Sequence, residues 1–406
     1  MTENLLREFI NSHTYDIRAT GNGRWIDQKC AFDTVCFVAD CVVDYLRNGG
    51  TQPFTSPQIW HMEYSMRFVR EVFSKPDPTL RSTLDEYNKF FRQPLKMLSA
   101  AGVLSERTEG STIYFRVENM EILEYIALRE RNALEFMWLY IEKTLRDSHI
   151  WDSFASFFDM QTPEWFDEVK EKFEQFCIQY TPINTKVEAD RIFTKVLNQI
   201  AFKYKKHGTI RGRLSNHSIT LHDITYNKAN WFDELMGKEK HIARSDYNKN
   251  ETPNETSDYQ LERAKRNLKH FIETYCNGEP EVRDKFSIGH KASAYHHIFP
   301  KSRFPQLATY YENMIALTTA QHMQEAHPGG NTRVVDKNFQ HKCLIAKTDS
   351  IHRNLLGEDH APAFYEFDSF MYVLDEGLQT DYFQHLPQEK FDAVLEGIEI
   401  NYQRET

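Results

Sequence analysis

Tyr295-His296-His297-Ile298-Phe299-Pro300-Lys301-Ser302 is followed by Glu312-Asn313-Met314-Ile315-Ala316-Leu317-Thr318 and then by Gln321-His322, with His327-Pro328 closing the run. The pattern predicts a strand over 294–299 and a second over 314–317. A loop of about a dozen residues holding Pro300 and Pro305 lies between them. A short helix follows from Thr319 to Ala326, stopped by His327-Pro328-Gly329-Gly330. Successive side chains of a strand point to opposite faces, so His296 and His297 cannot do the same work. One can face a metal held against the helix while the other faces a substrate cleft. Singly, each histidine reads as an ordinary core or surface residue. Together they have the make-up of a metal-assisted hydrolase site, in which one imidazole acts on water and the others hold a cation.

The segment from about Phe286 to Thr332 resembles the HNH (ββα-metal) nuclease motif in residue type, order and spacing. The resemblance implies that His296 is the first metal ligand and His297 the general base. It implies that Asn313 holds the loop and orients that base, and that His322 is the ligand from the helix. It also implies one Mg²⁺ (or Mn²⁺) per active site. One departure stands out. Many members carry a second helix ligand four residues after the first, and here that position is Ala326. His327 lies one residue further, roughly 140° round an ideal helix, and Pro328 biases it out of the helical region. Either His327 swings toward the metal, with Asn331 a weaker candidate, or the site uses two protein ligands and water. Lys301 and Arg303 sit beside the motif as candidates to hold phosphate. The cysteine-bound zinc common in this family has no counterpart, since none of the six cysteines forms a CxxC pair.

Working outward, 406 residues predict two to four domains. No stretch approaches 18 apolar residues, which predicts no transmembrane helix, and the first residues lack a signal-peptide pattern. The expectation is a soluble cytoplasmic protein of a bacterial or archaeal cell, with reduced thiols. The net charge of −10 misleads, because Asp349 to Thr406 holds 13 carboxylates against three basic residues. The remainder is neutral, and local basic patches are compatible with nucleic acid.

Residues 1–150 read as three helices and a hairpin. The helices are Phe32–Leu46, one from Ser56-Pro57 to about Phe73, and one after Thr83 reaching Ala101-Gly102; the hairpin turns at Arg107–Gly110. That is the order of a winged helix-turn-helix. Glu86–Ala101 would then be the recognition helix, offering Asn88, Lys89, Arg92, Gln93 and Lys96 to a groove. Pro94 predicts a kink or an early end. An arm before this domain carries Arg18, Asn22, Arg24, Gln28 and Lys29, residue types that read base edges or hold phosphates. From Arg191 to His222 there are seven basic residues and no carboxylate. There Lys203, Lys205, Lys206, Arg211 and Arg213 are expected on a glycine-containing loop against DNA.

The fold class expected is α+β. A winged-helix-like DNA-recognition domain spans 1–150 and a helical, basic connector 151–250. The nuclease module spans 251–348, and an acidic helical tail 349–406. The whole chain resembles an HNH-type type II restriction endonuclease. That resemblance implies site-specific cleavage of double-stranded DNA by a homodimer or a transient dimer, since a duplex needs two cuts. A homing-type or modification-dependent nuclease, and a DNA-binding regulator with a degenerate nuclease module, stand as alternatives.

Overall fold

The computed structural model describes residues 2–73, 75–226, 258–327, 335–358 and 361–402, with side chains from residue 5 in the first span and from 259 in the third. Helices and small sheets make an α+β chain that divides into two compact units, residues 3–250 and 251–406. The polar boundary expected at Lys249–Glu255 lies outside the described residues, as does Asn331. Among the described residues no helix is long and apolar enough to cross a membrane.

The first unit begins with α1 (Thr2–Asn11), the short α2 (Ile17–Thr20) and α3 (Phe32–Arg47). It continues through β1 (Phe54–Thr55), α4 (Ser56–Trp60), α5 (Glu63–Phe73) and α6 (Leu84–Ala100). The hairpin β2 (Leu104–Glu109) and β3 (Thr112–Val117) follows, then α7 (Met120–Leu128) and α8 (Glu130–Asp147). Helix α3 is apolar on nearly every face, so it can only be stable when surrounded. Residues 32–44 are all buried, packed among α6, α7 and α8.

The helix expected from Ser56 to Phe73 is two helices, α4 and α5. Its start is capped by Thr55 rather than Ser56, in a reciprocal arrangement with Gln58. Helix α6 runs unbroken through Pro94. Pro94, Phe90, Phe91 and Leu95 are all buried, and that tertiary packing outweighs the lost backbone bond. Strand β1 adds to the hairpin, giving the order β1-β3-β2 with Phe54 opposite Phe115.

Helices α9 (Trp151–Met160), α10 (Pro163–Tyr180) and α11 (Lys186–Lys203) complete the unit around Phe154, Phe166, Phe173 and Phe193. The basic tract expected as a loop is instead the hairpin β4 (His207–Ile210) and β5 (Arg213–Ser218), followed by α12 (Leu221–Ile224). It forms because Arg211-Gly212 closes a two-residue turn with both φ angles positive, 52° and 77°.

The second unit starts with α13 (Asp258–Tyr275), which packs on β6 (Ala294–His297) and β7 (Met314–Leu317). The first strand ends at His297 rather than Phe299. Its antiparallel register sets His296 opposite Ile315 and His297 opposite Met314. A helical turn at Gln321–Ala326 is followed by α14 (Lys337–Leu356), α15 (Phe367–Leu378) and α16 (Phe391–Asn401).

The acidic tail, left without a role by the sequence, is built into this unit. Glu312 accepts a bond from the Glu366 N–H at 3.0 Å, and Gln306 donates to Glu376 at 3.0 Å. Gly377 abuts the Phe299 ring so closely that no Cβ would fit. Beneath β7, the fully buried Lys347 ammonium meets Glu281 at 2.6 Å, and Glu281 also accepts from the Ala316 N–H.

Candidate metal centre

The turn at Gln321–Ala326 is a π-helix. In such a turn the backbone bonds run from i to i+5, so residues five apart come onto one face. His322 and His327 are five apart. Their rings stand 4.9 Å apart between centroids. His296, facing across from β6, lies 5.3 Å from His322 and 4.9 Å from His327. One ligand nitrogen from each of the three lies within 4.8 Å of the others. The Ala326 departure is thereby answered by local geometry: the helix is widened by one residue, and His327 takes the place beside His322.

His296 and His327 are buried and His322 is half-buried. The His296 Nε2 is buried with no hydrogen-bond partner among the described residues. Buried polar atoms are nearly always paired, so an orphaned imidazole nitrogen beside two further imidazoles suits a cation. Burial pushes the His296 ring down to about 3, with the neighbouring His327, His322 and His297 adding to the effect. Burial also lowers His322, helped by His327 and Lys265. Rings held neutral have a lone pair free for a metal. Coordination at about 2.0–2.1 Å from each nitrogen requires the three rings to draw inward by roughly an ångström. Three imidazoles suit Mn²⁺, Ni²⁺ or Zn²⁺ better than Mg²⁺, which prefers oxygen.

His297 points to the other side of the strand. Its Nε2 lies 2.9 Å from the Ala308 carbonyl, which fixes the tautomer with the proton on Nε2 and leaves Nδ1 as the acceptor. Burial lowers the ring from its ordinary range, the Ala308 bond opposes this, and Lys265 and Lys301 reinforce it. The loop that carries Ala308 is held in turn by Asn313, through the neighbouring Leu307. The fully buried Asn313 side chain accepts from Phe299 N–H at 2.8 Å and donates to the Phe299 and Leu307 carbonyls at 3.1 Å. Five residues thus come together here: the rings of His296, His322 and His327 on one side, the oriented ring of His297 on the other, and Asn313 pinning the loop between them.

Lys301 flanks His297, and Arg303 is exposed one turn away, stacked over Phe304 at 5.5 Å. Sequence reasoning missed Lys265 of α13. Its charge acts on both His297 and His322, and a lone lysine some thirty residues upstream gave no signal.

The residues expected at DNA are mostly engaged within the first unit. Arg18 is paired with Asp16 at 2.8 Å, and Arg24 with Asp27 and Glu188. The Asn22 side chain accepts from Arg24 N–H, and Trp25 and Ile26 are buried. The stretch is therefore a packed segment rather than a loose arm, with Gln28 half-buried. Lys29 and the buried Lys75 share Glu86 and the Tyr226 hydroxyl. On α6, Asn88 accepts from the Trp60 indole, Gln93 accepts from Lys29 N–H, and Lys89 and Lys96 pair with Asp85 and Glu106. Arg92 is exposed. In the basic tract, Lys203 at the end of α11 pairs with Glu142 at 2.8 Å and Lys206 is half-buried, whereas Lys205, Arg211 and Arg213 are exposed.

Comparison with known proteins finds no match to this chain among protein-family models, curated proteins or solved structures.

Proposed function

We propose that the protein is a metal-dependent DNA endonuclease of HNH type, working as a site-specific restriction enzyme. One observation carries the reading: three imidazoles able to hold a cation stand beside a fourth, His297, whose acceptor nitrogen is fixed by the Asn313-held loop. Among the described residues this pairing of a ligand set with an oriented base has its natural use in hydrolysing a phosphodiester. A divalent ion held by His296, His322 and His327, which the HNH resemblance gives as Mg²⁺ or Mn²⁺ and which three imidazoles also admit as Ni²⁺ or Zn²⁺, would polarise the phosphate and stabilise the leaving oxygen. His297 Nδ1 takes a proton from the attacking water. The Ala308 carbonyl holds the ring in that orientation and eases the positive charge that develops on it. Lys265 and Lys301 attract the phosphate and hold it against the site.

In the first unit, the helices α3, α4 and α6 with the β1-β3-β2 sheet support a winged-helix reading in which Arg92 and its neighbours face DNA. A dimer, or two chains meeting on DNA, would make the two cuts.

The test is cleavage of plasmid DNA with Mg²⁺ or Mn²⁺. Wild type should cut, and His297→Ala should bind DNA but leave it intact. Equal cutting by both would remove His297 from its role. Digestion of methylated and unmethylated DNA separates a restriction enzyme from a modification-dependent one. Binding without cutting under every metal would favour a DNA-binding regulator.

A further inference from the structure

The hairpin β4–β5 is bolted to α11 at its root. The Asn198 side chain accepts from Thr209 N–H at 2.7 Å and donates to Thr209 O at 2.9 Å. Ser215 Oγ accepts from Gly208 N–H at 3.0 Å. Gly208 lies so close to Asn198 and Ile219 that a Cβ would meet them at 2.5 and 2.6 Å. Among the described residues the end beyond Thr209 and Leu214 projects from this root, with Ile210 opposite Arg213 and Arg211-Gly212 closing the turn. Arg211 holds φ at 52°, a left-handed conformation that glycine and asparagine adopt readily and a long side chain does not. The turn geometry would be better served by asparagine there, so the turn itself does not call for an arginine. Arg211, Gly212 and Arg213 are all exposed, and no carboxylate lies between Arg191 and His222.

We propose that the Arg211-Gly212-Arg213 apex enters the minor groove of duplex DNA and reads its width, favouring narrow A·T-rich grooves. This rests on the DNA-binding reading above. The free end rises by about two residues, or roughly 7 Å. That is too short for the ribbon to lie along a major groove, but it matches a minor groove about 6 Å wide and 7.5 Å deep. The bare glycine thins the apex, and the two guanidinium groups meet the strong negative potential of an A·T tract.

The experiment uses full-length His297→Ala protein, which leaves the DNA uncut, with two 30-bp duplexes, one an A·T tract and one G·C-rich. Affinities are read by fluorescence anisotropy, with and without netropsin as a minor-groove competitor. The expected result is several-fold tighter binding to the A·T duplex, lost with netropsin. In the Arg211→Gly background, where the turn is preserved because glycine accepts this conformation, the preference should disappear. Equal weakening of both duplexes by Arg211→Gly with no effect of netropsin would make the apex a phosphate contact and overturn the proposal. Equal affinity of the parent protein for both duplexes would overturn it as well. Failure to bind any duplex would instead bring down the DNA-binding reading on which it stands.

Discussion

His322 and His327 are five residues apart in sequence, yet their rings stand 4.9 Å apart, nearly perpendicular, across a single π-helical turn. The extra residue in that turn brings the third ring to the site. His327→Ala and His296→Ala should each reduce affinity for Mn²⁺ or Zn²⁺ by more than the ~10–100-fold typical of losing an outer partner, measured by calorimetry on folded protein. Deleting Gln324 would restore i, i+4 spacing and an ordinary helix, so metal binding should survive. A deletion variant that folds but no longer binds metal would show that the π-turn supplies more than spacing.

Asn313 makes three buried hydrogen bonds to the loop that carries Ala308. Asn313→Ala leaves those backbone groups unpaired and should destabilise the protein by about 2–4 kcal/mol, read from urea unfolding. His297 should lose its fixed orientation with it, so cleavage should fall further than the folded fraction does. A drop in activity that merely tracks unfolding would confine Asn313 to stability.

Lys347 and Glu281 form a buried pair, with Tyr365 hydroxyl 3.1 Å from the ammonium. Lys347→Met alone strands the carboxylate and should cost about 3–5 kcal/mol. Adding Glu281→Gln should restore much of that, because the amide can still accept from Ala316 N–H. A double variant no better than the single one would mean that the charges themselves, not their balance, hold β7 in place.

Asp33 is buried at the start of α3, where it accepts from Tyr226 N–H at 2.9 Å. Burial, with Glu130 nearby, pushes its carboxyl up to about 7, whereas an unfolded chain loses that proton near pH 3.9. The folded state keeps a proton that the unfolded state gives up. Its contribution is therefore complete below about pH 4 and is lost as the pH rises through about 7. The urea midpoint should fall less between pH 5 and pH 8 in Asp33→Asn than in wild type. Parallel curves would place the titration elsewhere.

The nuclease-like segment was legible because its chemistry is local. Alternation in 294–297 separates His296 from His297, and Asn313 and His322 follow at readable distances. The third ring was legible only as an alternative, since a helical wheel assumes an α-helix, whereas the π-turn brings His327, one position beyond Ala326, beside His322. Which of the DNA-binding candidates are engaged within the fold was hidden for another reason. Composition shows a cation but not its partner, and Arg24, Lys29, Lys96 and Lys203 meet carboxylates supplied by other segments. Glycine in 203–213 suggested a loop, where its spacing from Arg211 makes a hairpin. The order of helices in residues 32–100 was readable from runs of apolar residues, while the break after Trp60 depends on packing that no local pattern encodes.

The close fit of Gly377 against Phe299 limits how portable the histidine site is. Phe299 lies two residues beyond His297, so the ring that follows strand β6 finishes its packing against Gly377, on a helix far downstream. A cassette cut after residue 348 would leave that ring, with Tyr310 and Glu312, facing solvent. Any chimaera that borrows this four-histidine site must carry the acidic tail with it, through α16.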